Sequence, residues 1–177
     1  MTTLLLIRHG ESEWNRVGRI QGQVDTPLTA AGIEQARSIG GYLAQWLNGR
    51  SLRVYSSPLS RAYRTAAIIA EKIGYSSVDI KADGRLNDFN QGDIAGIDGW
   101  DIVAKIYPEL ERLRLEKPLQ YHPPGGESGA DFQQRLREFL SDLPDDETFN
   151  LIVSHGITNK YIRSIRRGIT GPGIIAL

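Results

Sequence analysis

LLLIRHG at residues 4–10 and LIVSHG at residues 151–156 are built alike: a short unbroken apolar run, one polar residue, then His-Gly. Apolar runs without alternation mark strands buried on both faces, as in a parallel sheet covered by helices. In such sheets ligands bind outside the carboxyl ends of the strands. His9 and His155 are therefore expected where a ligand would sit. Gly10 and Gly156 let the backbone turn sharply and approach it closely.

Working outward, Leu52–Tyr55 predicts a third strand and Val78–Ile80 a further candidate. From Thr29 as N-cap, Ile33, Ala36, Gly40, Leu43 and Leu47 recur at helical spacing, closed by Gly49. Ser57 as N-cap and Pro58 at the first helical position open a second helix. It carries Leu59, Ala62, Ala66, Ile69 and Ile73 and is closed by Gly74. Phe132, Leu136, Phe139, Leu140 and Leu143 predict a third, ended by Pro144, and a last helix follows His155 to about Gly168. This alternation predicts an α/β fold of three layers, α/β/α, with a mostly parallel sheet and helices on both faces. A chain of 177 residues suits a single domain over 1–177. Residues 97–126 break the pattern. An amphipathic piece from Trp100 to Tyr107, a charged piece from Pro108 to Lys117 and a loop at 123–126, PPGG, read as a short cap insertion over the site.

Composition narrows the chemistry. Lys plus Arg number 21 and Asp plus Glu 21, so no net field points to nucleic acid or an acidic membrane surface. Any anion site must be local. With no cysteine, disulfides, thiolate metal sites and cysteine nucleophiles are excluded. The run Leu4–Ile7 is too short for a signal peptide, and no run nears the roughly 20 apolar residues of a membrane span. The expectation is a cytoplasmic protein with no membrane partner. No internal repeat stands out.

A third strand end makes the same gesture. Tyr55-Ser56-Ser57-Pro58 leads into a helix whose first turn holds Arg61, off the apolar stripe. A cation there opposes the helix dipole by roughly 0.3–1 kcal/mol, which a bound anion would offset. Arg8, Arg61, His9 and His155 can thus meet at one edge of the sheet. Arginine suits forked binding of phosphate oxygens, and phosphoryl transfer is the chemistry that wants this set. A neutral imidazole attacks phosphorus in line, and nearby cations would keep His9 unprotonated. His122, Trp14 and the cluster Arg112, Arg114 and Lys117 read as surface, packing and a solvated helix face.

These residues carry a resemblance. LLLIRHGESEWN (4–15), GQVDTPLTAAG (22–32), YSSPLSRAYRTA (55–66), RLNDFNQGDIAG (85–96), PPGGES (123–128) and IVSHG (152–156) resemble, in order and spacing, the histidine phosphatase superfamily in its phosphoglycerate-mutase-like branch. The resemblance implies His9 as nucleophile. It gives Arg8, Arg61 and His155 as phosphoryl ligands, assisted by Asn15, Gln21, Gly22 and Gly156, and Asp88 as general acid. It implies a small phosphorylated substrate and no cofactor or metal. Asp88 is a departure, since many members carry glutamate, longer by roughly 1.5 Å. Glu127 and Asp93 are the competing acids. A second departure is the C-terminal end, where members usually continue with further strand. An unpaired sheet edge there invites pairing into a homodimer.

Asp88 and Glu127 lie only 39 residues apart, too close for the longer insertion that shields the phosphohistidine of a mutase from water. Hydrolysis of a phosphomonoester is therefore expected, with phosphoglycerate mutase as the alternative. A weakly active or non-catalytic phosphate-binding member is the rival from another class. A metallohydrolase built on His9, His155 and Asp88 is disfavoured, because the arginines would repel a divalent cation.

Overall fold

The computed structural model describes residues 2–177. Four strands, β1 (Leu4–Arg8), β2 (Leu52–Ser56), β3 (Lys81–Ala82) and β4 (Phe149–Ser154), form one parallel sheet in the order β1-β4-β2-β3. The helices are α1 (Glu13–Arg16), α2 (Ala30–Leu47), α3 (Ser60–Lys72), α4 (Trp100–Ile106), α5 (Pro108–Glu116), α6 (Gly129–Ser141), α7 (Gly156–Arg167) and α8 (Gly173–Ala176).

Strand periodicity sorts the side chains into two cores. Leu4, Leu6, Tyr55 and Ile152 face α6 and α7 through Phe132, Leu136, Phe139, Tyr161 and Ile162. Leu5, Ile7, Val54, Leu151 and Val153 face α2 and α3 through Leu43, Leu47, Ala66 and Ile69. The three-layer α/β/α arrangement follows. Each fully buried aliphatic or aromatic side chain contributes about 1.5–3 kcal/mol, so both layers hold the sheet firmly.

Register positions the chemistry. Arg8 pairs with Ser154, and Ser56 with Val153, so β1, β4 and β2 end level. His9 N–H donates to the Ser154 carbonyl at 2.9 Å and Ser57 N–H to the Val153 carbonyl at 3.1 Å. His9, Ser57 and His155 therefore leave the sheet side by side.

Local readings differ in three places. Val78 is not in a strand: Ser77–Asp79 is a single 3-10 turn, and the pairing strand begins at Lys81. One apolar pair, Val78 and Ile80, is too little to define a strand, and only Ile80 enters the core. α6 ends at Ser141, short of Leu143 and Pro144. Finally, α3 begins at Ser60 rather than after Ser57. Its first N–H is capped by the Asp25 carboxylate at 2.9 Å from a neighbouring loop, and the Ser57 hydroxyl is engaged elsewhere.

The segment expected as a cap forms α4 and α5, with Pro108 opening the second helix. Val103 packs with Ile20 and Ile94 in a small separate cluster, while α5 buries no residue. After α7 the chain turns at Gly168 into α8, whose Ile174 is buried. No further strand follows, and β1 has β4 as its partner among the described residues. No helix there is long and apolar enough to cross a membrane.

Candidate active site

His9 sits just past β1, only 6% exposed. Its Nδ1 lies 2.7 Å from the Gly10 carbonyl. A carbonyl can only accept, so Nδ1 carries the proton and Nε2 keeps its lone pair. Burial lowers the His9 pKa to about 4; Arg61 and Arg8 add to this and the Gly10 contact opposes it. The expectation that cations would keep His9 neutral thus misplaces the main cause, which is desolvation.

The His9 loop is pinned from behind. A Cβ on Gly10 would stand 2.3 Å from the Gly32 carbonyl oxygen, and one on Gly32 only 2.1 Å from that of Glu11. The first turn of α2 thus rests against the loop, and neither glycine admits a side chain.

His155, at the N-terminus of α7, lies with its ring centroid 5.1 Å from that of His9, edge to face. Its Nε2 is 2.9 Å from the Ser57 hydroxyl. Burial, then the charges of Arg61, His9, Arg135 and Arg8, hold its pKa well below the usual imidazole value.

Arg61 is fully buried in the first turn of α3. Its guanidinium donates to the carbonyls of Val24 at 2.8 Å and Gly22 at 2.7 Å, leaving Nε without a partner. Asp88 reaches this floor from the loop after β3. Its Oδ2 lies 3.4 Å from Arg61 Nη2 and 3.8 Å from His155 Nδ1. Burial raises the Asp88 pKa to about 6, against the pull of Arg61.

Above this floor is a cavity of about 390 Å³ lined by Arg8, His9, Asn15, Gln21, Gly22, Asp88 and Gly156 among others. Arg61 and His155 do not line it; they lie beneath, and Asp88 turns back onto both. The Asn15 amide oxygen accepts from Ser12 N–H, and that of Gln21 from the Ser12 and Thr26 hydroxyls. Each amide therefore has its NH₂ left to offer an anion. All nine site residues singled out in the sequence thus gather at one place.

The two competing acids are elsewhere. Glu127 is paired with Arg135 at 2.8 Å and accepts from Asn90 N–H at 2.7 Å, while Asp93 is exposed, and neither lines the cavity. Arg135 also donates to the carbonyls of Arg85, Asn87 and Asp88, fixing the backbone that carries Asp88.

Other cavity residues were not legible. Arg114, read as part of a solvated face, lies 3.9 Å over the Trp100 ring and lines the cavity; Arg112 and Lys117 are exposed as expected. Its i,i+3 partner Glu111 mimics an ordinary surface pair. Lys160, Tyr161 and Ile175 also line the cavity. Lys160 had a usable signal, one helical turn beyond Gly156 on the same face. Trp14 stays out of the cavity, beneath the Arg19 guanidinium, and His122 is exposed.

Known proteins resemble this chain along most of its length. Residues 4–171 match the family described as the histidine phosphatase superfamily, branch 1. The chain is 39% identical over 144 residues to phosphoserine phosphatase 1 of Hydrogenobacter thermophilus, covering 81% of this chain and 64% of the relative. It is 33% identical over 178 residues to a 2,3-bisphosphoglycerate-dependent phosphoglycerate mutase of Azorhizobium caulinodans, covering 97% of this chain and 84% of the relative. Among solved structures, a mycobacterial glucosyl-3-phosphoglycerate phosphatase in complex with VO3 superposes with a TM-score of 0.84. It is 27% identical, with 100% of this chain and 87% of that one covered.

Proposed function

This chain belongs to the histidine phosphatase superfamily, branch 1, and we propose that it hydrolyses a small phosphorylated metabolite through a phosphohistidine on His9, without a metal. Its relatives make it an enzyme of the phosphoglycerate mutase family. The observation that carries the mechanism is the His9 ring, tied through Nδ1 to Gly10 with Nε2 bare beside the cavity.

In the first step His9 Nε2 bonds to phosphorus as the ester P–O bond breaks. Asp88, protonated through its raised pKa, gives its proton to the leaving oxygen. In the second step water attacks phosphorus, the N–P bond breaks, and the Asp88 carboxylate takes the proton. Arg8, Arg61, His155, Asn15, Gln21, Gly22 and the N-terminus of α7 at Gly156 bind the phosphoryl oxygens. Because Arg61 and His155 lie under Asp88, the carboxyl must move off them as the phosphoryl group enters. That movement carries the acid toward the leaving group.

The short cap supports hydrolysis over mutase chemistry, since it amounts to α4 and α5, and α5 buries no residue fully, resting on the core through Leu110. No group of three or more metal-ligating side chains gathers among the described residues. The reading places the chain in the cytoplasm and pairs two copies along the open edge of β1. Fractionation and sedimentation equilibrium check these two points.

The test is turnover of an activated phosphomonoester. His9→Ala is expected to abolish it, chelator to leave it unchanged, and brief labelling to give an acid-labile, alkali-stable protein phosphate. Wild-type turnover in His9→Ala would end this mechanism. A chain that neither turns over nor labels would be a binding module, and isomerisation of phosphoglycerate without phosphate release would mark a mutase.

A further inference from the structure

The two histidines hold their protons on opposite nitrogens. In His9 the proton is on Nδ1, facing the Gly10 carbonyl. In His155 the deciding group is Ser57. Its hydroxyl has a single proton, which it donates to Asn87 Oδ1 at 2.9 Å. The Ser57 oxygen can then only accept, from Leu59 N–H at 3.3 Å and from His155 Nε2 at 2.9 Å. His155 Nε2 therefore carries N–H, and in the neutral ring Nδ1 is a bare lone pair. That nitrogen is fully buried, has no hydrogen-bond partner among the described residues, and lies 3.8 Å from Asp88 Oδ2.

We propose that Ser57 is a positioning residue that holds His155 of the free protein in the Nε2–H tautomer, so that His155 can grip a phosphoryl oxygen only when Nδ1 takes up a proton. Oxyanion binding and protonation of His155 are then one event. The meaning of this coupling rests on the phosphoryl site proposed above; the tautomer itself does not.

The argument is electrostatic. A bare nitrogen facing an oxyanion sets lone pair against lone pair, and a bond forms only if Nδ1 is a donor. The ring cannot supply that donor by moving its own proton across. Nε2 would then turn a lone pair on the Ser57 oxygen, whose proton is already committed to Asn87. The proton must come from outside the ring. In the free protein burial and four groups, Arg61, His9, Arg135 and Arg8, hold the ring neutral, and Asp88 is the one acid within ion-pair distance of it among the described residues. An incoming dianion reverses that balance. Asp88 cannot serve as the source without losing the proton it needs as general acid, so the source is solvent or a monoanionic substrate.

Linkage gives the sign. The complex holds one more proton than the free protein, so affinity for a fully ionised oxyanion falls as pH rises, by about tenfold per unit between the free and bound pKa values of His155.

The experiment is nitrogen-15 NMR of the full chain labelled at its 3 histidines, free and with sulfate. Sulfate keeps both charges across neutral pH, so a proton gained belongs to the protein. The free wild type is expected to show His155 Nε2 protonated and Nδ1 bare, and the sulfate complex to show both protonated. Ser57→Ala is expected to shift the neutral ring to Nδ1–H and to flatten the pH dependence of sulfate affinity. Ser57→Thr, which keeps the hydroxyl, should retain both wild-type signatures.

A protonated Nδ1 in the free wild type overturns the proposal, as does sulfate bound to a His155 whose Nδ1 stays bare. An unchanged tautomer in Ser57→Ala removes Ser57 from its role. If Ser57→Ala fails to fold, the two wild-type spectra decide alone. Failure of sulfate to bind would instead strike the phosphoryl-site reading, while the free spectrum still tests the tautomer.

Discussion

At the scale of single residues, the proposed chemistry depends on two groups whose proton affinities are moved past each other. His9 falls to about 4 and Asp88 rises to about 6. Acting on the free enzyme, the acid form of Asp88 is lost as pH rises through about 6, and neutral His9 is lost as pH falls through about 4. The pH profile of kcat/KM for an alkyl phosphate should therefore be a bell between those values. Asp88→Asn should slow alkyl phosphates by about 10²–10⁴-fold and slow esters with good leaving groups less. Equal slowing of both would point to another acid.

Stability follows the same shifts. The folded pKa of Asp88 lies above its unfolded value of 3.8, so its favourable contribution is full below that value and gone once pH exceeds about 6. His9 works oppositely: its contribution is present above 6.5 and lost as pH falls through about 4. Asp88→Asn should thus be more stable than wild type at pH 8 by roughly 1–3 kcal/mol, with the gain gone near pH 4, in paired thermal melts. No gain at pH 8 would mean that Arg61 holds the carboxylate more strongly than burial resists it. His9 was legible as a candidate because a strand end announces a ligand, whereas Asp88 was given only by the resemblance of the segment RLNDFNQG. Desolvation as the main cause at His9 was not legible, since burial comes from α2, α3 and α7 packing around it rather than from its neighbours in sequence.

At the scale of elements, the loop carrying His9 is only as well placed as the helix behind it. The Thr29 hydroxyl accepts from Gly32 N–H at 3.0 Å and donates to the Glu11 carboxylate at 2.7 Å, so one side chain caps α2 and ties it to the loop. Thr29→Ala should cost about 1 kcal/mol as a lost cap. Gly32→Ala should cost more, about 3 kcal/mol or above, because its methyl would overlap the Glu11 carbonyl and drive helix and loop apart. Urea unfolding of both variants measures the order, and turnover should fall with Gly32→Ala even under conditions where it remains folded. A Gly32→Ala protein as stable and active as Thr29→Ala would show that the loop does not need the helix. Thr29 was readable as a cap because a cap is local. The start of α3 was misread because Asp25, from another loop, caps it, which freed Ser57 to face His155. The same reasoning explains Arg114: its spacing from Glu111 is that of a solvated helix, and only the position of Trp100 turns it inward.

At the scale of the whole molecule, a chain of formal net charge zero gathers an unbalanced charge in its cavity. Arg8, Arg19, Arg114 and Lys160 line it, against Asp88 as the one acidic lining residue. Arg19 is held by Asp98 at 2.6 Å and Arg114 by Glu111 at 2.6 Å, so those two are largely balanced. Lys160 has no carboxylate within ion-pair distance among the described residues; its ammonium donates to the Ile175 carbonyl of α8 and keeps further N–H groups. In the proposed mechanism Arg8 and Arg61 meet the phosphoryl group, which leaves Lys160 for the other end of the substrate. An ammonium on that end would meet a cation with no acid to answer it, while a carboxylate would find a partner. Phosphomonoesters bearing a carboxylate and no amine should therefore exceed phosphoserine in kcat/KM by at least about tenfold, the equivalent of roughly 1.4 kcal/mol. The preference should shrink in Lys160→Met and at high salt, since Lys160 is only partly buried. If phosphoserine is turned over as well as its deaminated counterpart, the charge of this cavity does not select the substrate, and the apolar walls from Trp100 to Ile175 must do so instead.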